Sequence, residues 1–414
     1  MKKYSDMLPR LPENYTFGLE LEFTGGLTYY QTTQIIQNLI DRGIIREGWT
    51  VHYDGSVIDE NGQGAEIVSP VLKDDKQTEK ELEIITSIIK NYGGVMGSKT
   101  GGHIHYGVQC LGDNIRQIQN FFKLYTIFEP LLYKLSAGDL GYVRPGIKEY
   151  AKPIQKSLNN VIDANITSYA DLFSRIAANV GAIPSHYGPY RYYGLNFQRI
   201  TEAIRKMPPK ENIEEFMGKM LRGETVYDNK GNKLSPTIEM RFRNGSSSAD
   251  EILRGVRLGG QMFVAAKDPC FNKMPIIKSL YRKSKKKKQI LWTVTQDNLN
   301  DPRYAGLTPQ EIVEKKFSDS RFGNGKIDKN TFLAFLGILY RTTPLDKTVT
   351  VEDRMALYEL YKASVKKTPT SRDINALFNS TRNEVRERLN AARRYIEYLR
   401  NNQNNYTQPA LRTA

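Results

Sequence analysis

The chain has 414 residues, 39% hydrophobic and 25% charged, with 60 Lys and Arg against 45 Asp and Glu for a net charge of +15. That is the composition of a globular protein with a sizeable core, and no run of about 18 apolar residues is present, which excludes a transmembrane helix. Two cysteines, Cys110 and Cys270, exclude a disulfide framework and a cysteine-rich zinc site, so a reducing, cytoplasmic setting is expected.

The positive charge is local. Residues 1–270 hold 32 basic and 31 acidic side chains, residues 271–414 hold 28 and 14, and all four histidines precede residue 187. This asymmetry predicts modules with separate jobs: a catalytic unit over 1–268, a basic linker over 269–306 and a basic helical module over 307–414. The basic start Met1-Lys2-Lys3 leads into no apolar stretch, so no secretory signal is expected.

The first element is a strand, Phe17-Gly18-Leu19-Glu20-Leu21-Glu22-Phe23. Its alternation puts Phe17, Leu19, Leu21 and Phe23 on one face and Glu20 with Glu22 on the other. A helix over 32–42 stops at Gly43, and Trp49 then leads to the turn Asp54-Gly55-Ser56, which can present a carboxylate and a hydroxyl at a strand end. Read blandly, that segment is simply a good turn. Glu66-Ile67-Val68-Ser69-Pro70 is a short strand stopped by proline, followed by a helix over 78–91 that ends before Gly93-Gly94.

Gly97-Ser98-Lys99-Thr100 lacks the Gly-Lys-Ser/Thr order of a phosphate loop and reads as a turn. It precedes Gly102-His103-Ile104-His105-Tyr106-Gly107-Val108, a second strand that sets His103 and His105 opposite Ile104, Tyr106 and Val108. An apolar helix over 115–135 follows. In the third strand, Thr237-Ile238-Glu239-Met240-Arg241-Phe242-Arg243, the packing face is Ile238, Met240 and Phe242, and Glu239, Arg241 and Arg243 share the other. His52 and His186 read as ordinary surface or packing histidines.

Each alternation alone is what an antiparallel sheet with one wet face shows. Three together say more, because their polar members are metal ligands and anion binders. Adjacent glutamates on one face repel, and a cation between them compensates. Carboxylate oxygens with little nitrogen suit Mg²⁺ or Mn²⁺ better than zinc.

Beyond Asp268-Pro269 and Pro275 comes the run Arg282-Lys283-Ser284-Lys285-Lys286-Lys287-Lys288, read first as a solvated loop. Thr308-Pro309-Gln310-Glu311 is a capping box with proline at the first helical position. Val385, Leu389, Ala392, Ile396 and Leu399 make one apolar stripe on a last helix that also carries Arg382, Arg386, Arg388, Arg393, Arg394 and Arg400. The functional reading of this basic third is an anionic partner, whether nucleic acid, cell-wall polymer or acidic protein; for nucleic acid the expected mode is phosphate contact with strong salt dependence. Asn324-Gly325-Lys326-Ile327-Asp328 has the flavour of a calcium loop but lacks the carboxylates one needs.

The ordered set Phe17-Gly18-x-Glu20-x-Glu22-Phe23, Trp49 with Asp54-Gly55-Ser56, Glu66-x-Val68-Ser69-Pro70, Gly102-His103-x-His105 and Glu239-x-Arg241 resembles the amidoligase family. This is a branch of the glutamine synthetase and γ-glutamylcysteine ligase superfamily, found often in bacteria and phages, and the resemblance spans roughly residues 15–265. It implies an α+β fold: a glutamine synthetase-like curved antiparallel sheet with helices on its outer face, ATP entering at one end and two divalent metals in the middle. It further implies Glu20, Glu22, Glu66, His103 and Glu239 as metal ligands and His105 beside the nucleotide phosphates. Arg241 would stabilise the transferring phosphoryl group, Arg243 is a second ATP-side candidate, and Asp54 would bind or deprotonate the amine.

Ser56 is a further substrate-side candidate. Arg144, in Val143-Arg144-Pro145-Gly146, is a candidate for the substrate carboxylate, and Arg191 and Asn196, in Arg191-Tyr192-Tyr193-Gly194-Leu195-Asn196, resemble a second substrate-side motif. No second acidic ligand with a clear motif closely follows Glu66, so Asp54 or water would complete that metal.

The expected activity is therefore an ATP-dependent carboxylate–amine ligase in the cytoplasm, or in the host cytoplasm if phage-encoded, with no membrane partner. Ring-forming relatives raise a homo-oligomer as one outcome. Two alternatives belong to other classes: a catalytically retired ligase fold serving as a structural or anion-binding protein, and a metal-dependent phosphohydrolase or nuclease.

Overall fold

Leucines and glutamates alternate along β1 (Phe17–Phe23), and the strand takes a place inside a six-stranded sheet with its leucines buried. The computed structural model describes residues 8–55, 57–59, 62–97, 99–136, 151–154, 158–180, 193–268, 272–273, 275–286, 294–322, 327, 331, 334–335 and 338. The other strands are β2 (Thr50–His52), β3 (Ile58–Asp59), β4 (Gly62–Gln63), β5 (Ala65–Val68), β6 (Gly102–Gly107), β7 (Leu195–Asn196), β8 (Val226–Tyr227), β9 (Lys233–Leu234) and β10 (Thr237–Met240). The main sheet runs β2-β5-β1-β6-β10-β7 with antiparallel neighbours, while β3–β4 and β8–β9 are separate hairpins.

The helices are α1 (Tyr29–Asp41), α2 (Lys76–Asn91), α3 (Ile115–Leu135), α4 (Asn159–Ile162), α5 (Tyr169–Val180), α6 (Gln198–Arg205), α7 (Ile213–Arg222), α8 (Ala249–Ala266), α9 (Pro275–Lys286), α10 (Gln296–Leu299) and α11 (Pro309–Asp319). Their starts follow local chemistry. Thr28 and Gln31 close a capping box on α1, Asp75 caps α2, and Thr308 with Glu311 closes the expected box on α11. Among the described residues no helix is long and apolar enough to cross a membrane.

Packing places α8 behind β6 and β10. Gly259 makes the close approach: a Cβ there would meet the Tyr106 hydroxyl at 2.5 Å and Met240 Sδ at 2.9 Å. The Tyr106 hydroxyl donates to the Val256 carbonyl at 2.7 Å. Phe263 of α8 stacks on Phe121 of α3 with centroids 4.4 Å apart, adding a second helical layer. The apolar side of the sheet is thereby covered, and the side carrying Glu20, His103, His105 and Glu239 is left for other use.

One buried ion pair ties three parts of this core. Arg257 of α8 donates to Asp74 through Nε at 2.9 Å and Nη2 at 2.7 Å, with side-chain exposures of 0% and 1%. Asp74 also accepts from the Leu11 amide at 3.0 Å. Asp74→Ala is expected to cost about 3–5 kcal/mol, because it strands a buried guanidinium. The double variant Asp74→Leu, Arg257→Met should recover most of that loss in denaturant unfolding, and a single-variant cost below about 1 kcal/mol would contradict this role.

Residues 275–286, expected within a basic linker, form helix α9, whose Ile277, Leu280 and Tyr281 enter the core cluster. Lys285 pairs with Asp163 at 2.5 Å. Farther on, Phe322 packs against Tyr133 at 5.3 Å and Phe335 against Phe128 at 5.4 Å, so this stretch shares the core of α3. The expected last helix with its stripe, Lys287 and Lys288, and most of the 324–328 loop lie outside the described residues.

Candidate active site

Strand register assembles the site. Glu20 stands opposite His103, Glu22 opposite Glu66, and Glu239 opposite His105. Cross-strand neighbours on one face sit close enough for their side chains to meet. Two groups result, each with its donor atoms within 4.8 Å of one another: Glu20 with His105 and Glu239, and Glu22 with Asp54 and Glu66.

In the first group Glu20 Oε1 accepts from His105 Nε2 at 2.8 Å and Oε2 from His103 Nδ1 at 2.8 Å. The Thr237 hydroxyl lies 3.2 Å from His105 Nδ1, which fixes the ring with Nε2 toward Glu20. Glu239 is held from both sides. Asn196 Nδ2 donates to its Oε2 at 2.8 Å, and Arg241 Nη1 pairs with its Oε1. His103 stands between the groups, with Nε2 at 3.6 Å from Glu22 Oε1 and Nδ1 at 3.5 Å from Glu239 Oε1. The Gly101 amide orients Glu22 through a 2.5 Å hydrogen bond to Oε2.

The charges respond to this crowding. Burial pushes the Glu66 carboxyl up, Glu20, Glu22 and Asp54 add to the push, and it reaches about 8. Burial also opposes ionisation of Glu20, but its hydrogen bonds with His103 and His105 outweigh this and hold it well below the usual carboxylate range. Glu239 is buried too, and Arg241 followed by the two imidazoles brings its carboxyl below the ordinary value. Burial works against the Arg241 cation, yet Glu239, Glu20 and Glu22 keep it above its usual value.

This donor chemistry fits a hard divalent cation. The second group is all oxygen, the first has one imidazole nitrogen, and three carboxylates within 4.8 Å are stabilised by positive charge between them. His105 joins the first group, whereas His103 was the expected ligand. Asp54 joins Glu22 and Glu66, filling the place for which no motif was evident.

Other expected site residues lie elsewhere. Arg243 does not join Arg241 and Glu239. The strand ends at Met240, and Arg243 turns inward at 4% exposure to donate to the Ile252 carbonyl at 3.1 Å and the Glu251 carbonyl at 3.0 Å. Gly255 leaves the room its guanidinium occupies. Asn196, expected on the substrate side, is nearly buried and orients Glu239. Ser56, Arg144 and Arg191 lie outside the described residues.

Arg199 is the addition. From α6 its Nη2 approaches Glu20 Oε1 at 3.7 Å, though no motif singled it out. A lone arginine on a short helix gives no pattern to read.

Residues 13–261 match the model of a protein family described as "Putative amidoligase enzyme". The match covers more than half of the chain and takes in every strand of the sheet. Comparison with curated proteins finds no match.

Proposed function

The chain belongs to the amidoligase family, and from that premise we propose that it is an ATP-dependent ligase joining a carboxylate to an amine. The observation that carries the proposal is one sheet face on which two donor groups stand side by side with the Arg241 guanidinium held against Glu239. A glutamine synthetase-like bowl, with the helices on its outer face, is the architecture that goes with this reading.

Forming an amide from a carboxylate requires activation, because the carboxylate oxygen is a poor leaving group. Transfer of the γ-phosphoryl group from ATP to that oxygen releases ADP and leaves an acyl phosphate. The amine then attacks the acyl carbon, phosphate departs, and the ammonium proton goes to a base. Bound Mg²⁺ or Mn²⁺, held by Glu20, His105 and Glu239 and by Glu22, Asp54 and Glu66, would screen the triphosphate charge. Arg241 faces the same region and would stabilise charge on the transferring phosphoryl group. His103 orients Glu20, and Asn196 orients Glu239. Asp54 is the proposed amine binder or base. Arg144, Arg191 and Ser56 remain the proposed substrate-side residues, and the basic C-terminal third the proposed contact with an anionic partner.

The test is Mg²⁺-dependent ADP release by the full chain against pools of amino acids and polyamines. Release that needs both an acid and an amine is the expected result. Polynucleotide cleavage without ATP would point to a nuclease. Failure to bind Mg·ATP at all would point to a retired fold and overturn the ligase reading.

A further inference from the structure

β10 ends at Met240, so the backbone of Arg241 lies past the strand and needs other support. Its amide donates to the Gly194 carbonyl at 2.9 Å, and the Gly194 amide donates to the Lys152 carbonyl at 2.8 Å. Residues 151–154 are fixed in turn by α3. The Tyr133 hydroxyl donates to the Ala151 carbonyl at 2.7 Å, and Glu129 accepts from the Ile154 amide at 2.7 Å.

Tyr133 also reaches the Arg241 segment directly. Its buried ring stacks on Phe242, the residue after Arg241, with centroids 5.0 Å apart. It lies so close to Gly194 that a Cβ there would collide with its hydroxyl. One ring therefore sets both the Gly194 carbonyl and Phe242, the two supports on either side of the Arg241 backbone.

Phe322 closes the remaining side of this ring, edge-on at 5.3 Å. Past the end of α11, the Ser320 hydroxyl donates to the Phe317 carbonyl at 2.7 Å and accepts from the Phe322 amide at 3.2 Å. That turn sends Phe322 inward, where it is buried and stacks on Phe317. The family match ends at residue 261, so Phe322 comes from sequence beyond it. Resting on the ligase reading above, we infer that Tyr133 is a positioning residue for Arg241 and that Phe322, from outside the family match, locks Tyr133 in place.

The test compares full-length Phe322→Ala, Phe322→Leu, Tyr133→Phe and Phe335→Ala with wild type. Hydrogen exchange is read by mass spectrometry, ADP formation in single turnover, and thermal unfolding checks that each variant is folded. Phe335 is the control, because it packs on Phe128, earlier on the same helix, at 5.4 Å. Phe322→Ala opens a cavity beside Tyr133 and is expected to speed exchange over residues 193–196 and 237–243 about ten-fold. ADP formation should slow about ten-fold or more, since misplacing a reacting group by about 1 Å can cost about 10²-fold.

The rise in Tm with added Mg²⁺ should stay near that of wild type, because Glu22, Asp54 and Glu66 stand away from the β10–β7 edge. Leucine should restore most of the exchange protection and most of the rate. Tyr133→Phe keeps the ring and drops the Ala151 bond, so it should loosen 151–154 and 193–196 a few-fold. Phe335→Ala should leave these segments and the ADP rate within about two-fold of wild type.

A folded Phe322→Ala whose exchange over these segments, or whose ADP rate, matches that of Phe335→Ala would overturn the assignment and leave the ligase reading standing. Wild type that forms no ADP with any acid and amine would overturn the ligase reading, and the exchange pattern would then decide the hold on Arg241 by itself.

Discussion

Glu239→Gln is expected to lower kcat for amide formation on the order of 10²–10³-fold or more, with the fold intact. Glutamine keeps the shape, but its single amide oxygen can accept from Asn196 or from Arg241 and not from both, as the two carboxylate oxygens of Glu239 do. What it removes is the negative charge shared with Glu20 and His105 and the ion that orients Arg241. A cation bound there loses an anionic ligand, and Arg241 loses its charged partner at the same time. Both losses act on phosphoryl transfer, so kcat should fall more than the KM of the amine. Thermal unfolding and single-turnover ADP formation check the prediction. A folded variant with ADP formation within about five-fold of wild type would show that Glu239 has no such role.

Glu66→Gln should remove the fall in stability with rising pH that the wild type shows in a chelator, and weaken the response to added metal. The Glu66 carboxyl is raised from 4.5 to about 8, first by burial and then by Glu20, Glu22 and Asp54. A raised acid favours the folded state while protonated, so its contribution is complete below about pH 4.5 and is lost as pH rises through about 8. The two values bound that loss at about 5 kcal/mol, and partial solvent access reduces it to about 2–3 kcal/mol. Wild type in chelator should therefore match Glu66→Gln near pH 4.5 and be the less stable of the two at pH 8. Added Mn²⁺ or Mg²⁺ should raise the wild-type Tm at pH 8 more than that of the variant, which keeps the Glu20, His105 and Glu239 group but has lost an anionic donor from the second, because linkage stabilises only the form that binds. Coincident pH profiles, or equal metal responses, would contradict the second donor group.

Much of the site can be read from alternation. The period of two in β1, β6 and β10 puts Glu20, Glu22, His103, His105 and Glu239 on one face, and that arrangement stands in the structure. Register is another matter. That Glu22 faces Glu66, and Glu239 faces His105, follows from which strands pair and at what offset, and residue order along one strand does not carry this. Arg243 shows where alternation stops helping, for the strand ends at Met240 and the next arginine but one is free to turn into the core.

Helix α9 was hidden by charge. Its lysines and arginine made the segment look like a solvated run, while Ile277, Leu280 and Tyr281 supply an apolar stripe at spacings of three and one. Arg199 sits on a short element with no repeat around it, so only the folded chain brings it to Glu20. Asn196 lies in a motif that pointed to substrate, and its contact with Glu239 comes from the pairing of β7 with β10.

The most direct test of the central claim follows one oxygen atom. With the acid and amine identified by ADP release, the acid is supplied with ¹⁸O in its carboxylate and the released phosphate is weighed by mass spectrometry. A ligase working through an acyl phosphate transfers one ¹⁸O from the acid to phosphate for each amide formed. Phosphate free of the label, with ATP consumed and the amide formed at the same rate, would contradict that account.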